Sequence, residues 1–169
     1  MKIKCALSCL ALLLAFSVNV SAQLIAGSPE DRLYEQISAA TDPQEKIDLC
    51  LQFEDEFPES TVLGDVYTIL MDTYNRGNSP SQTIEFGEKA IELDGNNVTA
   101  LMTVARTLSV ERQELPKAVQ YAQRAVDRIE EMKAEDPPPQ FTADSWQQYI
   151  ESLEGPARNI LSYARTVSP

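Results

Sequence analysis

The sequence predicts an all-α protein built from antiparallel helix pairs stacked side by side, and three observations predict it. Tyr67, Leu70, Met71 and Tyr74 are spaced 0, 3, 4, 7, which puts one apolar stripe on a helix, and a shift of 34 lands on Leu101, Val104, Ala105 and Leu108, all apolar again. The helices that follow repeat too: Ile84, Phe86, Gly87, Ala90 and Ile91 map at a shift of 35 onto Val119, Tyr121, Ala122, Ala125 and Val126. A backward shift of 37 carries Ile84, Gly87 and Ala90 onto Ile47, Cys50 and Phe53, and Leu70 and Tyr74 onto Leu33 and Ile37. Periods of this length mark a repeat array.

Residues 1–22 read as a secretory signal peptide. Lys2 and Lys4 form a positive start, Ala6 to Val18 is apolar apart from small Ser and Cys residues, and Val20-Ser21-Ala22 is a small-residue cleavage site before Gln23. The run is shorter than the ~20 residues of a membrane span. The expected compartment is periplasmic or secreted, with no stable membrane span after cleavage. Removing Lys2 and Lys4 and no acid makes the exported chain two units more negative than the −12 of the full sequence.

A short lead, 23–29, precedes three helix pairs at 30–60, 61–97 and 98–132. Phe57-Pro58-Glu59-Ser60 closes the first pair with a Pro that cannot continue a helix, and Asp94-Gly95-Asn96-Asn97 closes the second with a Gly suited to a left-handed cap. Asp42-Pro43, Asn78-Ser79-Pro80 and Leu115-Pro116 place Pro at or near helix starts, where its missing N–H is harmless. One residue is inserted in the turn around Glu111 to Pro116.

A Pro-rich linker is expected over 133–141, since Glu135-Asp136-Pro137-Pro138-Pro139 cannot be helical. The tail, 142–169, carries Trp146, Tyr149, Ile150 and Leu153 at the 0, 3, 4, 7 spacing, with Asp144 as N-cap and Gln147 three residues on. Gly155-Pro156 should kink or break this helix. The tail reads either as a solvating cap or as the first helix of an incomplete fourth repeat.

The chemistry on offer is narrow. There is no His, and Cys50 is the one Cys outside the signal segment, so the commonest general base, Cys/His pairs and most zinc sites are excluded. No intramolecular disulfide is expected, and Cys50, among Ile47, Leu51 and Phe53, reads as a small buried hydrophobe. The six Gly residues are scattered, leaving no phosphate loop. Glu54-Asp55-Glu56 and Glu130-Glu131 are adjacent acids that point to different helix faces and read as solvated surface. Asp94-Gly95-Asn96 lacks the later ligands of a calcium loop, and Asn97-Val98-Thr99 matches a glycosylation acceptor in form. Net charge −12 opposes binding to nucleic acid. No catalytic residue, cofactor or metal is expected.

Tyr67 to Asn97 resembles a degenerate tetratricopeptide repeat: an aromatic, Leu70 and Tyr74 in the first helix, then Glu88-Lys89-Ala90-Ile91-Glu92-Leu93-Asp94 and Gly95-Asn96-Asn97. The resemblance covers roughly residues 30–132. It departs at Met71, where the family usually has Gly, at Thr83, where it has Ala, and at Gly95, where it has Pro. It keeps small residues at Gly87, Ala90, Ala118, Ala122 and Ala125, which let helices approach. The family fold implies a short right-handed superhelix whose first helices line a concave groove.

By that resemblance the groove residues are Asp65, Thr68, Asp72, Asn75 and Arg76 from one unit, and Thr99, Met102, Arg106 and Ser109 from the next. Thr68 and Asp72 do not supply the Lys and Asn of family members that clamp a peptide carboxylate. The expected function is an exported protein-interaction scaffold without catalysis, holding a protein or peptide partner; the acidity serves either to steer a basic partner or for solubility alone. The alternatives are a self-associating structural module or a truncated array and, more remotely, an enzyme or small-ligand receptor with a carboxylate-only site between the repeats and the Trp146 helix.

Overall fold

A computed structural model describes residues 24–168, and the proposed signal segment lies outside them. The described chain forms α1 (Pro29–Ala39), α2 (Pro43–Glu56), α3 (Leu63–Arg76), α4 (Pro80–Leu93), α5 (Val98–Glu111), α6 (Leu115–Met132) and α7 (Ala143–Val167), with no strand among the described residues. Each helix packs on the next, and α5 also packs against α3 and α7. The architecture is therefore all-α, with α1/α2, α3/α4 and α5/α6 as stacked antiparallel pairs and α7 closing the row. No helix among the described residues is long and apolar enough to cross a membrane.

The helix starts have local causes. Pro29, Pro43 and Pro80 each open a helix, and Pro116 sits in the first turn of α6, where an N–H has no intrahelical partner. Ser28, Asp42 and Asn97 accept from the backbone N–H groups of Asp31, Glu45 and Ala100 at 3.0, 2.9 and 2.9 Å. The residue inserted between α5 and α6 is absorbed by strain: Arg112 (φ 54) and Glu114 (φ 38) both take left-handed backbone conformations.

Leu33, Ile37, Phe53, Val66, Leu70, Met71, Leu101, Val104 and Leu108 form the first apolar core, and each is buried. Ile129, Met132, Trp146, Ile150, Ala157 and Leu161 belong to a second, under α7. Gly87 lies where α4 meets both α3 and α5, and a Cβ there would fall 3.0 Å from Met71 Sδ and closer still to Val104 Cγ2. A bare backbone is what this approach requires.

Three expectations are corrected. The cap of α7 is Thr142, not Asp144: Ser145 N–H donates to Thr142 Oγ1 at 3.2 Å and Thr142 N–H to Ser145 Oγ at 2.9 Å, a reciprocal pair that an acid one residue into the helix cannot match. Gly155-Pro156 does not break α7, which runs from Ala143 to Val167 with Pro156 inside it. The carbonyl left without the missing N–H is that of Ser152, itself an exposed residue, and Gly155 has no Cβ to clash with the ring that follows. Gly95 is not left-handed, since Gly27 is the described glycine with positive φ; Gly95 instead accepts from the Arg124 guanidinium at 2.6 Å.

Candidate functional site

Helices α3 and α5 lie on the same side of α4, and side chains from one bridge to the other. Asn97, the cap of α5, donates through Nδ2 to Thr68 Oγ1 at 2.9 Å, and Thr68 donates in turn to the Gly64 carbonyl. About two turns along, Arg106 donates to Asn75 Oδ1 at 3.0 Å. Asp72 pairs with Arg76 at 2.7 Å within α3. Thr68, Asp72, Asn75, Arg76 and Arg106 thus form one polar surface across the junction of two pairs. Beside it Asn75, Asn78, Ser79, Thr83, Arg106 and Val110 line a cavity of about 100 Å³.

The remaining anticipated groove residues divide. Thr99 is exposed at the start of α5, and Met102 is half-buried, packed against both cores. Ser109 is corrected: it is fully buried, and its hydroxyl donates to the Ala105 carbonyl at 2.7 Å, so no partner can reach it. Helix α5 is enclosed by α4, α6 and α7, which leaves it a narrower open arc than α3. Asp65 is exposed but sits in a crowded corner near Tyr34 and Asp94, where burial and then the Asp94 charge raise its carboxyl above the ordinary range.

Six of the twelve cations among the described residues are in ion pairs, and Arg32, Lys46, Arg106, Arg112, Arg124 and Arg165 are not. Lys89, Lys117, Arg128, Lys133 and Arg158 are all in ion pairs between helices or with the linker. Arg106 is exposed, and among the described residues its polar contact is the neutral Asn75. It is a cation held in place and left without a carboxylate.

On the other side of the pairs, sequence reasoning missed a packed ion pair. Lys89 of α4 sits 2.8 Å from Glu54 of α2 and lies over the rings of Phe86 and Tyr67, at 4.8 and 5.2 Å from their centroids. Tyr67 donates to the same carboxylate at 2.8 Å. Burial pushes Glu54 up, but the Lys89 and Tyr67 hydrogen bonds outweigh it and hold the carboxyl below its usual range. Burial and the Glu54 contact push the Tyr67 phenol up to about 12. Glu54 and Lys89 stand 35 residues apart, two short of the 37-residue shift that relates α2 to α4, so the repeat register does not match one to the other.

Between the linker and the start of α7 lies a cleft of about 490 Å³, lined by Lys133, Glu135, Trp146, Ile150, Glu151 and Glu154 among others. The carboxylate-only site was expected between the repeats and this helix, and this cleft at the linker is the described cavity nearest to Trp146. Hydrogen bonds from Arg128 hold Glu135 below the usual range, and those from Arg158 and Lys133 do the same to Glu154. Both are shifted away from the protonated form that a general acid needs at neutral pH.

Two sequence motifs are settled by their surroundings. The Asn97 amide is engaged at both ends, as cap and as bridge to Thr68, so the glycosylation-like triplet serves to join two helix pairs. Cys50 is fully buried, and burial pushes its thiol up to about 12. Comparison with known proteins gives no matching family model and no curated protein that matches the chain.

Proposed function

We propose that this chain is an exported tetratricopeptide-like scaffold that binds a partner protein through the polar face shared by α3 and α5, without catalysis. The observation that carries the reading is the polar bridge across α3 and α5, in which Asn75 orients the exposed Arg106 guanidinium toward the open side of two helix pairs. A partner carboxylate or backbone carbonyl would complete it with a charge-assisted hydrogen bond. The matched registers at 34, 35 and 37 and the close approach at Gly87 support the family reading. The lysines, apolar run and small-residue site before Gln23 support export.

Asp72 and Arg76 neutralise each other, so the face offers a mixed pattern, not a uniform negative field. That favours a partner segment with both polar and charged groups over a simple polycation. The test is affinity capture from the exported fraction with the wild-type protein and with Arg106→Glu. A partner retained by the first and lost by the second, at equal melting temperature, is the expected result. Capture that ignores Arg106→Glu, or no capture at all, rejects this face as the binding surface.

A further inference from the structure

Helix α7 carries two seams. Trp146, Ile150, Ala157, Leu161 and Ala164 are buried against the array. At about 100° per residue, Tyr149, Leu153, Pro156, Ile160 and Tyr163 fall in a second arc of about 80°, and the five charged residues Asp144, Glu151, Glu154, Arg158 and Arg165 fall in another arc of about 80° on the opposite side. The charged side is the one turned to α6: Arg158 reaches Glu130, Arg165 donates to Gln123, and Glu154 meets Lys133. Tyr149 and Tyr163 are 36% and 44% exposed and Pro156 is exposed, while Leu153 and Ile160 are partly buried against the second core.

We propose that this second seam is a self-association surface, on which α7 of a second copy packs antiparallel about a two-fold axis near Pro156. The spacing of the seam is 4, 3, 4, 3, the repeat by which helices pair along a shared stripe. It is also close to palindromic. With the axis at Pro156, Tyr149 stands opposite Tyr163 of the copy, Leu153 opposite Ile160, and Pro156 opposite itself. An isologous contact brings residues near the axis against their own duplicates, so a charge of either sign there repels. The rest of this half of the helix meets that requirement: Gln148, Ser152, Gly155, Asn159 and Thr166 are uncharged. For a protein of net charge −12, an aromatic stripe on a helix half that carries no charge of its own, with Tyr149 already stacked on Trp146, is where a like-charged copy approaches at least cost.

The test is sedimentation velocity of the purified protein across a wide concentration series, with Tyr163→Glu as the variant, since a surface position on α7 leaves both cores intact. The wild type should shift from monomer to dimer with concentration, and Tyr163→Glu should weaken the dimer about tenfold or more at unchanged helix content. Pro156→Cys should form a disulfide-linked dimer under mild oxidation in excess of the parent protein, while Gln148→Cys, off the axis, should not. A monomer at every concentration overturns the proposal, as does a dimer indifferent to Tyr163→Glu. Equal cross-linking at positions 148 and 156 overturns the antiparallel register. These outcomes are independent of Arg106, so failure here is distinct from failure of the α3/α5 face.

Discussion

Substituting Gly87 by Ala sets two known effects against each other. In an open helix the change stabilises, by about 1 kcal/mol, because Gly is the poorer helix former. At Gly87 the new Cβ would meet Met71 Sδ at 3.0 Å and Cγ at 3.3 Å, and Val104 Cγ2 closer still, whereas non-bonded carbons rest at about 3.5–4.0 Å. Met71 is flexible and can give way. Val104 is fully buried in α5 and β-branched, with one strongly preferred rotamer in a helix, so α4 and α5 must move apart instead. Overpacking of this kind costs about 1–3 kcal/mol, occasionally more, and exceeds the propensity gain. An approach this close calls for the upper part of that range, about 2–3 kcal/mol, so Gly87→Ala should destabilise by about 1–2 kcal/mol net, lowering the melting temperature by roughly 2–8 °C in a chain of this size. Gly64→Ala is the control: its Cβ would lie 3.6 Å from Leu93 Cβ, an ordinary contact, and its effect should be neutral or mildly stabilising. In a double-mutant cycle, Val104→Ala should cost less in the Gly87→Ala background than alone, because it removes the clashing methyl. A Gly87→Ala protein as stable as wild type, or an additive cycle, would refute the close approach of α4 to α5.

Further substitutions probe charge, strain and the thiol. Glu54→Gln should destabilise by about 1 kcal/mol at neutral pH, a figure kept small because the Lys89 pair is partly exposed. Because the folded protein holds Glu54 below its ordinary pKa, its contribution is complete above the usual carboxylate range and fades as pH falls through the folded value; acid melts should show the Gln variant losing less stability below about pH 4. Asp65 has the opposite sign. Its raised pKa means the fold resists its ionisation, so Asp65→Asn should raise the melting temperature at neutral pH, and the gain should shrink as acidification protonates the wild-type residue. Arg112→Gly should stabilise by about 1 kcal/mol in denaturant titrations, since glycine accepts the left-handed conformation at the end of α5 without strain. Cys50 should resist thiol reagents in the native protein and react once denaturant is added; prompt native labelling would contradict its burial.

Much of this fold was legible because close packing writes itself into residue size as well as polarity. Gly87, Ala122 and Cys50 fall at one register position, and each is buried where helices meet. Prolines located the starts of α2, α4 and α6, since a ring without an N–H is tolerated in few other helical positions. The errors came where a local signal had an unseen tertiary neighbour. Pro156 looks like a break until its carbonyl partner is placed on the exposed Ser152, and Ser109 looks like groove surface until α5 is seen enclosed on three sides. The Glu54–Lys89 pair was hidden because neither residue is apolar, so a search for hydrophobic registers passes over it.

The two ends of the α5–α7 row show how the same helix geometry can be put to different uses. Between α3 and α5 the open side is polar, and its groups are tied together by Asn97, Thr68, Asn75 and Arg106. Such a surface is already hydrated, so a partner gains there by matching hydrogen bonds and by supplying the carboxylate that Arg106 lacks, not by burying area. On α7 the exposed seam carries two phenol hydroxyls but no charged group, and what it chiefly gains from contact is removal of the Tyr149, Pro156 and Tyr163 rings from water. The first surface should weaken as salt rises, because its strength is electrostatic; the second should strengthen, because salt screens the repulsion between two negative copies and kosmotropic salts favour burial. Salt dependence measured on each interaction is therefore a direct reading of which surface carries it.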